Sequence, residues 1–150
     1  VMEPDGRCRV YNREEMAFGY RTSIVKTKPC VVLSTVLKLK KGDRSEISAT
    51  MQELSAKRRE KQPLEYPSAG STFKRPEGYF AGKLIMDAGL AGASVGGAQV
   101  SEKHCGFVIN RKNATSADVA GLIQKVTETV QEKFGVTLEP EVIFLGDFEK

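Results

Sequence analysis

The 150-residue chain is 40% hydrophobic and 28% charged, which suits one soluble domain or a small domain with part of another. Its net charge of +4 is scattered among acids and not interleaved with aromatic residues, favouring a phosphate-bearing small molecule over a nucleic acid. No apolar run approaches the ~18 residues of a membrane span, and no leader pattern heads the sequence. Three distant cysteines (Cys8, Cys30, Cys105) and one histidine argue against structural zinc and a disulfide framework, so a cytoplasmic location is the expectation.

In chain order, Arg7 to Asn12 reads as a short strand, Arg13 to Met16 as a helical turn and Phe18 to Ser23 as an aromatic-rich loop. Val31 to Lys40 is β-branched and partly alternating, which predicts a strand ending at Lys41-Gly-Asp43. Asp43 and Glu46 have capping-box spacing, and Ile47, Met51, Leu54 and Arg58 recur at helical spacing to about Glu60. Pro63 stops that helix and marks the expected boundary between regions 1–60 and 61–150.

From Pro67 to Pro76 the sequence reads as a loop in which Ala69-Gly70 lets a ligand approach Ser71, with Lys74 and Arg75 close behind. Hydroxyl and cationic donors opening towards an apolar helix at Phe80 to Ile85 suit an anion such as phosphate. The same composition also suits an ordinary turn. Glycines from Gly82 to Gly97 imply tight turns, and Gly106 to Ile109 predicts a strand. Thr115 and Asp118 signal a cap for a helix whose apolar face runs from Val119 to Phe134 and ends at Gly135. Leu138 to Leu145 then reads as a returning strand. This order of helices and mainly antiparallel strands predicts an α+β fold.

Six stretches carry a resemblance: Phe18 to Ser23, Lys61 to Leu64, Ala69 to Pro76, Ala81 to Ile85, Gly96 to His104 and Leu138 to Val142. Taken in this order, the chain resembles the C-terminal part of the UDP-N-acetylenolpyruvoylglucosamine reductase (UDP-N-acetylmuramate dehydrogenase) family. The resemblance implies a flavoenzyme of peptidoglycan precursor synthesis, in which NADPH reduces FAD and hydride passes to UDP-N-acetylglucosamine enolpyruvate. It implies Ser71 as proton donor to the resulting enolate, Glu141 as acid or stabiliser at the carboxylate, and Arg21 as the cation that steadies negative charge. Lys61 resembles the family's diphosphate-contacting lysine, with Lys74 and Arg75 as further candidates. Many members carry Asn where this chain has Arg75. His104 stands where the family presents a polar side chain to substrate, and Tyr20 is a candidate wall of the site.

The resemblance also implies a division of labour. Residues 1–60 would be the terminal portion of an incomplete FAD-binding domain with a connecting helix. Residues 61–150 would be the UDP-sugar-binding domain and a returning strand. Glycine-rich loops for the flavin pyrophosphate are not seen before Phe18, so cofactor-binding residues are unassigned, the chain alone is expected to lack redox activity, and self-association through the incomplete domain is expected. Two other readings stay open at this point: a stand-alone, non-catalytic UDP-sugar-binding module, and a basic nucleic-acid-binding domain.

Overall fold

The computed structural model describes residues 1–19 and 21–146. The chain separates into two compact units, Val1–Asp43 and Arg44–Lys150. In the first, regular structure is sparse: one 3-10 turn at Ile24–Lys26 and isolated bridges from Met2 to Cys8 and to Val31. The Tyr11 hydroxyl donates to Glu3, and the Arg9 guanidinium lies 4.7 Å from the Tyr11 ring centroid. The strands expected at Arg7 to Asn12 and Val31 to Lys40 do not form as ladders. A strand needs a neighbour to accept its backbone hydrogen bonds. Beyond the bridge at Val31, no described residue supplies one, and Val36, Leu37 and Leu39 stay exposed.

The second unit holds three α-helices and a four-stranded antiparallel sheet, so the α+β expectation is met at this level. Helix α1 spans Arg44–Lys61. Strand β1 (Ser68–Ser71) follows, then helix α2 (Ala81–Asp87), strands β2 (Ser94–Val95), β3 (Ala98–Val100) and β4 (Phe107–Asn110), and helix α3 (Ser116–Phe134). The sheet order is β1-β4-β3-β2. β4 is central, and its Phe107, Val108 and Ile109 are all buried.

Helix α3 begins at a true capping box. The Thr115 hydroxyl accepts from the Asp118 amide at 3.1 Å, and the Asp118 carboxylate accepts from the Thr115 amide at 2.9 Å. Its apolar stripe puts Leu122, Val126 and Val130 fully inside, where each contributes about 1.5–3 kcal/mol by leaving water. Ile85 of α2, Val100 of β3 and Leu138 complete the centre of this core. The Lys133 ammonium reaches back to donate to the Ala88 carbonyl at 2.7 Å, satisfying a carbonyl at the end of α2.

Two readings of local structure need correction. The stretch expected as a loop before Ser71 is strand β1, which escaped notice because Ser-Ala-Gly-Ser has none of the β-branched bulk that marks strands. The expected strand from Leu138 to Leu145 is reduced to one bridge, Phe73 to Pro140. Pro140 has no amide hydrogen to give, so the ladder stops at the flanking bonds, Lys74 N–H to Glu139 C=O and Glu141 N–H to Thr72 C=O, both 2.8 Å. The β2–β3 hairpin was not anticipated either; its two-glycine turn, Gly96-Gly97, was a legible hairpin signal.

Candidate functional site

Strand β1 carries a bulge. Ser68 pairs with Ile109 and Ser71 with Phe107, so three steps on β1 span two on β4. Gly70 takes up the extra residue with φ +85°, a left-handed conformation that glycine adopts without a Cβ penalty. The bulge re-aims the hydroxyls beside it. Thr72 turns inward, and its Oγ1 accepts from the Val108 amide at 2.9 Å, replacing a backbone ladder bond. Ser71 remains exposed and lines a cavity.

That cavity, about 420 Å³, lies between β1, the start of α2 and the loop ahead of β4. Ser71, Arg75, Phe80, Lys83, Glu102 and His104 are among its lining residues. Three residues singled out in the sequence, Ser71, Arg75 and His104, therefore line one cavity although they are far apart along the chain.

The cations around the cavity are not equivalent. Lys83 donates to the Asp87 carboxylate at 2.8 Å, one helical turn on. Lys103 donates to the Arg59 carbonyl at 2.7 Å and pairs with Glu65. Arg75 has no carboxylate partner among the described residues; its Nε donates to the Tyr79 carbonyl at 3.3 Å, and its guanidinium lies 4.1 Å from the Phe80 ring centroid. Both contacts orient the planar fork, which prepares it for a bidentate anion such as a carboxylate or phosphate.

His104 is half-buried, and its ring meets Phe107 edge-to-face at 4.9 Å. Its backbone amide donates to the Ser101 hydroxyl at 3.2 Å. Cys105, next along the chain, also lines the cavity, but burial pushes its thiol above the ordinary value, which keeps it protonated and poorly nucleophilic. No cluster of three or more metal-ligating side chains occurs among the described residues.

The other sequence candidates lie elsewhere. Glu141 does not line the cavity, yet its backbone N–H donates to the Thr72 carbonyl, which fixes its backbone beside the residue that follows Ser71. Lys74 is paired with Glu139, and Lys61 is exposed at the end of α1. Arg21 belongs to the first unit, with a left-handed φ of +55° beside the Gly19–Thr22 bridge. Tyr20 lies outside the described residues. Sequence reasoning missed Phe80 as a cavity wall; a phenylalanine at a helix start carries no signal of that use.

Residues 62–145 match the family described as UDP-N-acetylenolpyruvoylglucosamine reductase, C-terminal domain. The chain is 61% identical over 148 residues to the UDP-N-acetylenolpyruvoylglucosamine reductase of Agathobacter rectalis, covering 99% of this chain and 47% of that protein. It is 52% identical over 147 residues to the reductase of Caldanaerobacter subterraneus, covering 98% of this chain and 49% of that protein. The crystal structure of the reductase from Thermus caldophilus superposes with a TM-score of 0.73 at 38% identity, over 91% of this chain and 49% of that one. The chain thus spans about half the length of the relatives it matches.

Proposed function

Because this chain belongs to the UDP-N-acetylenolpyruvoylglucosamine reductase family and corresponds to its C-terminal portion, we propose that it supplies the substrate side of the reductase reaction. It binds UDP-N-acetylglucosamine enolpyruvate, and its Ser71 hydroxyl donates the proton that completes reduction to UDP-N-acetylmuramate in peptidoglycan precursor synthesis. In this reading residues 61–150 form the UDP-sugar-binding domain, and residues 1–60 the last part of a flavin domain. The observation that carries it is the cavity whose lining includes Ser71, Arg75 and His104, an exposed hydroxyl, an oriented guanidinium and an imidazole.

The chemistry fits these side chains. Hydride addition to the enolpyruvyl double bond leaves a strongly basic, electron-rich carbon next to a carboxylate, basic enough for a serine hydroxyl to protonate, while neighbouring charges lower the cost of forming that anion. Arg75 supplies a fork for the carboxylate or diphosphate. Glu141, Arg21, Lys61, Lys74 and Tyr20 are assigned to the remaining contacts: an acid or stabiliser, a charge-steadying guanidinium, two phosphate-facing ammonium groups and a wall. FAD, reduced by NADPH, is the hydride source in this proposal. The described residues of the first unit, with one 3-10 turn and isolated bridges, do not by themselves build a cradle for a flavin pyrophosphate, so no step through the flavin is assigned to them.

The test is a split of half-reactions. In the whole reductase, Ser71→Ala should slow substrate reduction by about 100-fold or more while leaving flavin reduction by NADPH unchanged. Equal losses in both would remove Ser71 from the proton-donor role. The stand-alone binding reading makes a separate demand: the 150-residue chain should bind a UDP-sugar with no flavin absorbance.

A further inference from the structure

Helix α1 ends at a carbonyl that the helical backbone cannot satisfy. If the helix continued, the C=O of Arg59 would accept from the amide of residue 63, but that residue is Pro63, which has no amide hydrogen. The Arg58 carbonyl, one step earlier, does find its partner in the Gln62 amide at 2.9 Å. Lys103 takes the place of the amide that Pro63 lacks: its ammonium donates to the Arg59 carbonyl at 2.7 Å. A cation there also meets the negative end of the helix dipole.

The segment that follows α1 is held from both ends of β4. Ahead of β4, Lys103 also reaches the Glu65 carboxylate at 3.4 Å, an exposed pair that by itself stabilises little. At the far end, the Asn110 amide donates to the Pro67 carbonyl at 2.8 Å, and the Arg111 guanidinium lies 4.5 Å from the Tyr66 ring centroid. Residues 59 to 67 are thereby pinned to the strand that pairs with β1, where Ser71 stands. Within that stretch sits Lys61. Its cationic neighbours on the helix are committed, Lys57 to Glu53 and Arg59 to Ser55, whereas Lys61 is exposed and makes no ion pair or side-chain hydrogen bond among the described residues.

We infer that Lys103 is a positioning residue for phosphate recognition: by capping α1 where Pro63 cannot, it fixes the last turn of that helix and so sets where the Lys61 ammonium is presented to the diphosphate of a nucleotide ligand. The inference rests on the UDP-sugar reading above, in which Lys61 faces phosphate. An ordered helix end matters because a lysine on a fraying turn samples many positions, and binding must then freeze that freedom out. Lys103 contributes to the cavity wall, but its ammonium is engaged by the Arg59 carbonyl and Glu65, so it acts through α1 and not by touching ligand.

The test is a double-mutant cycle in the whole reductase, read as KM for the UDP-sugar substrate against kcat. Lys103→Met removes the donor while keeping a long side chain, and it should raise KM about fivefold with kcat unchanged. Lys103→Arg, which keeps a cationic donor for the carbonyl, should recover most of that loss. Lys61→Ala should raise KM about tenfold, and adding Lys103→Met to it should cost nothing more, because the brace then has no ammonium to aim. Losses that add in the double variant would overturn the inference by giving Lys103 a contact of its own. A fall in kcat in place of the rise in KM would overturn it too, making Lys103 a general support of the fold. So would a Lys103→Met variant whose KM matches the original. If Lys61→Ala leaves KM unchanged, the diphosphate contact falls and takes the brace with it, while the proton-donor reading of Ser71 is decided separately by its own half-reactions.

Discussion

Helices α1 and α3 have nearly equal length, 18 and 19 residues, and both show apolar residues at helical spacing, yet different forces hold them. α3 buries Leu122, Ile123, Val126 and Val130 against the sheet. α1 buries nothing; Ile47, Met51 and Leu54 are 48%, 66% and 59% exposed. Apart from the Lys103 ammonium, which donates to the Arg59 carbonyl at 2.7 Å, its support among the contacts described is local. Glu53 pairs with Lys57 one turn on, Arg59 donates to Ser55 at 3.1 Å, and Arg58, Arg59 and Lys61 complement the negative end of the helix dipole. Spacing in a sequence therefore reveals that a helix has a face, and leaves open what covers that face.

The largest expected consequence is in the core. Leu122→Ala removes a fully buried side chain at the centre of the α3 interface and should destabilise the chain by about 2–5 kcal/mol, depending on how far the cavity collapses. Denaturant unfolding measures it. A loss no larger than that of an equivalent truncation in α1 would erase the distinction between the two helices.

A smaller effect should appear at the α3 cap. The Asp118 carboxylate accepts from the Thr115 and Gly97 amides, and these bonds hold its pKa below the ordinary aspartate value. A carboxyl with a depressed folded pKa stabilises the fold fully above its unfolded value, about 3.9, and the contribution is lost as pH falls through the folded one. Asp118→Asn should therefore be less stable at neutral pH, with the difference shrinking in acid. A gap that stays constant down to strongly acidic pH would mean that charge has no part in the cap.

The same contrast explains which parts of the fold could be read in advance. Thr115, Asp118, Gly135 and the apolar stripe between them define α3 by local chemistry and by a partner that exists. Val31 to Lys40 has equally persuasive strand chemistry, but a ladder needs a neighbour that the residue pattern cannot name. β1 is the opposite case. Its small residues conceal a strand that tertiary pairing with β4 imposes, and Gly70 is needed for its bulge. At the site, Ser71, Arg75 and His104 could be singled out by residue type and resemblance, and they share a cavity. The stacking of Arg75 on Phe80 and the bond from the Gly106 amide to His104 depend on approach in space, for which chain order holds no sign.

The smallest expected effect returns to α1. Met51 lies mid-helix, is 66% exposed, and gives up little apolar contact when truncated. Alanine is also the better helix former, so Met51→Ala should change stability by no more than about 0.5 kcal/mol in this chain. The measurement that sharpens the comparison is amide hydrogen exchange in the same variant. Amides of α1 open by local fraying, which neither the side chain nor the core controls, whereas those around Val126 open only when the packed unit does. Protection in α1 should therefore be low and unchanged by Met51→Ala, and protection at Val126 high and likewise unchanged. If truncating Met51 instead lowered protection throughout α3, the two helices would be one cooperative element, and the exposed stripe Ile47, Met51 and Leu54 would have to be packed against something in solution.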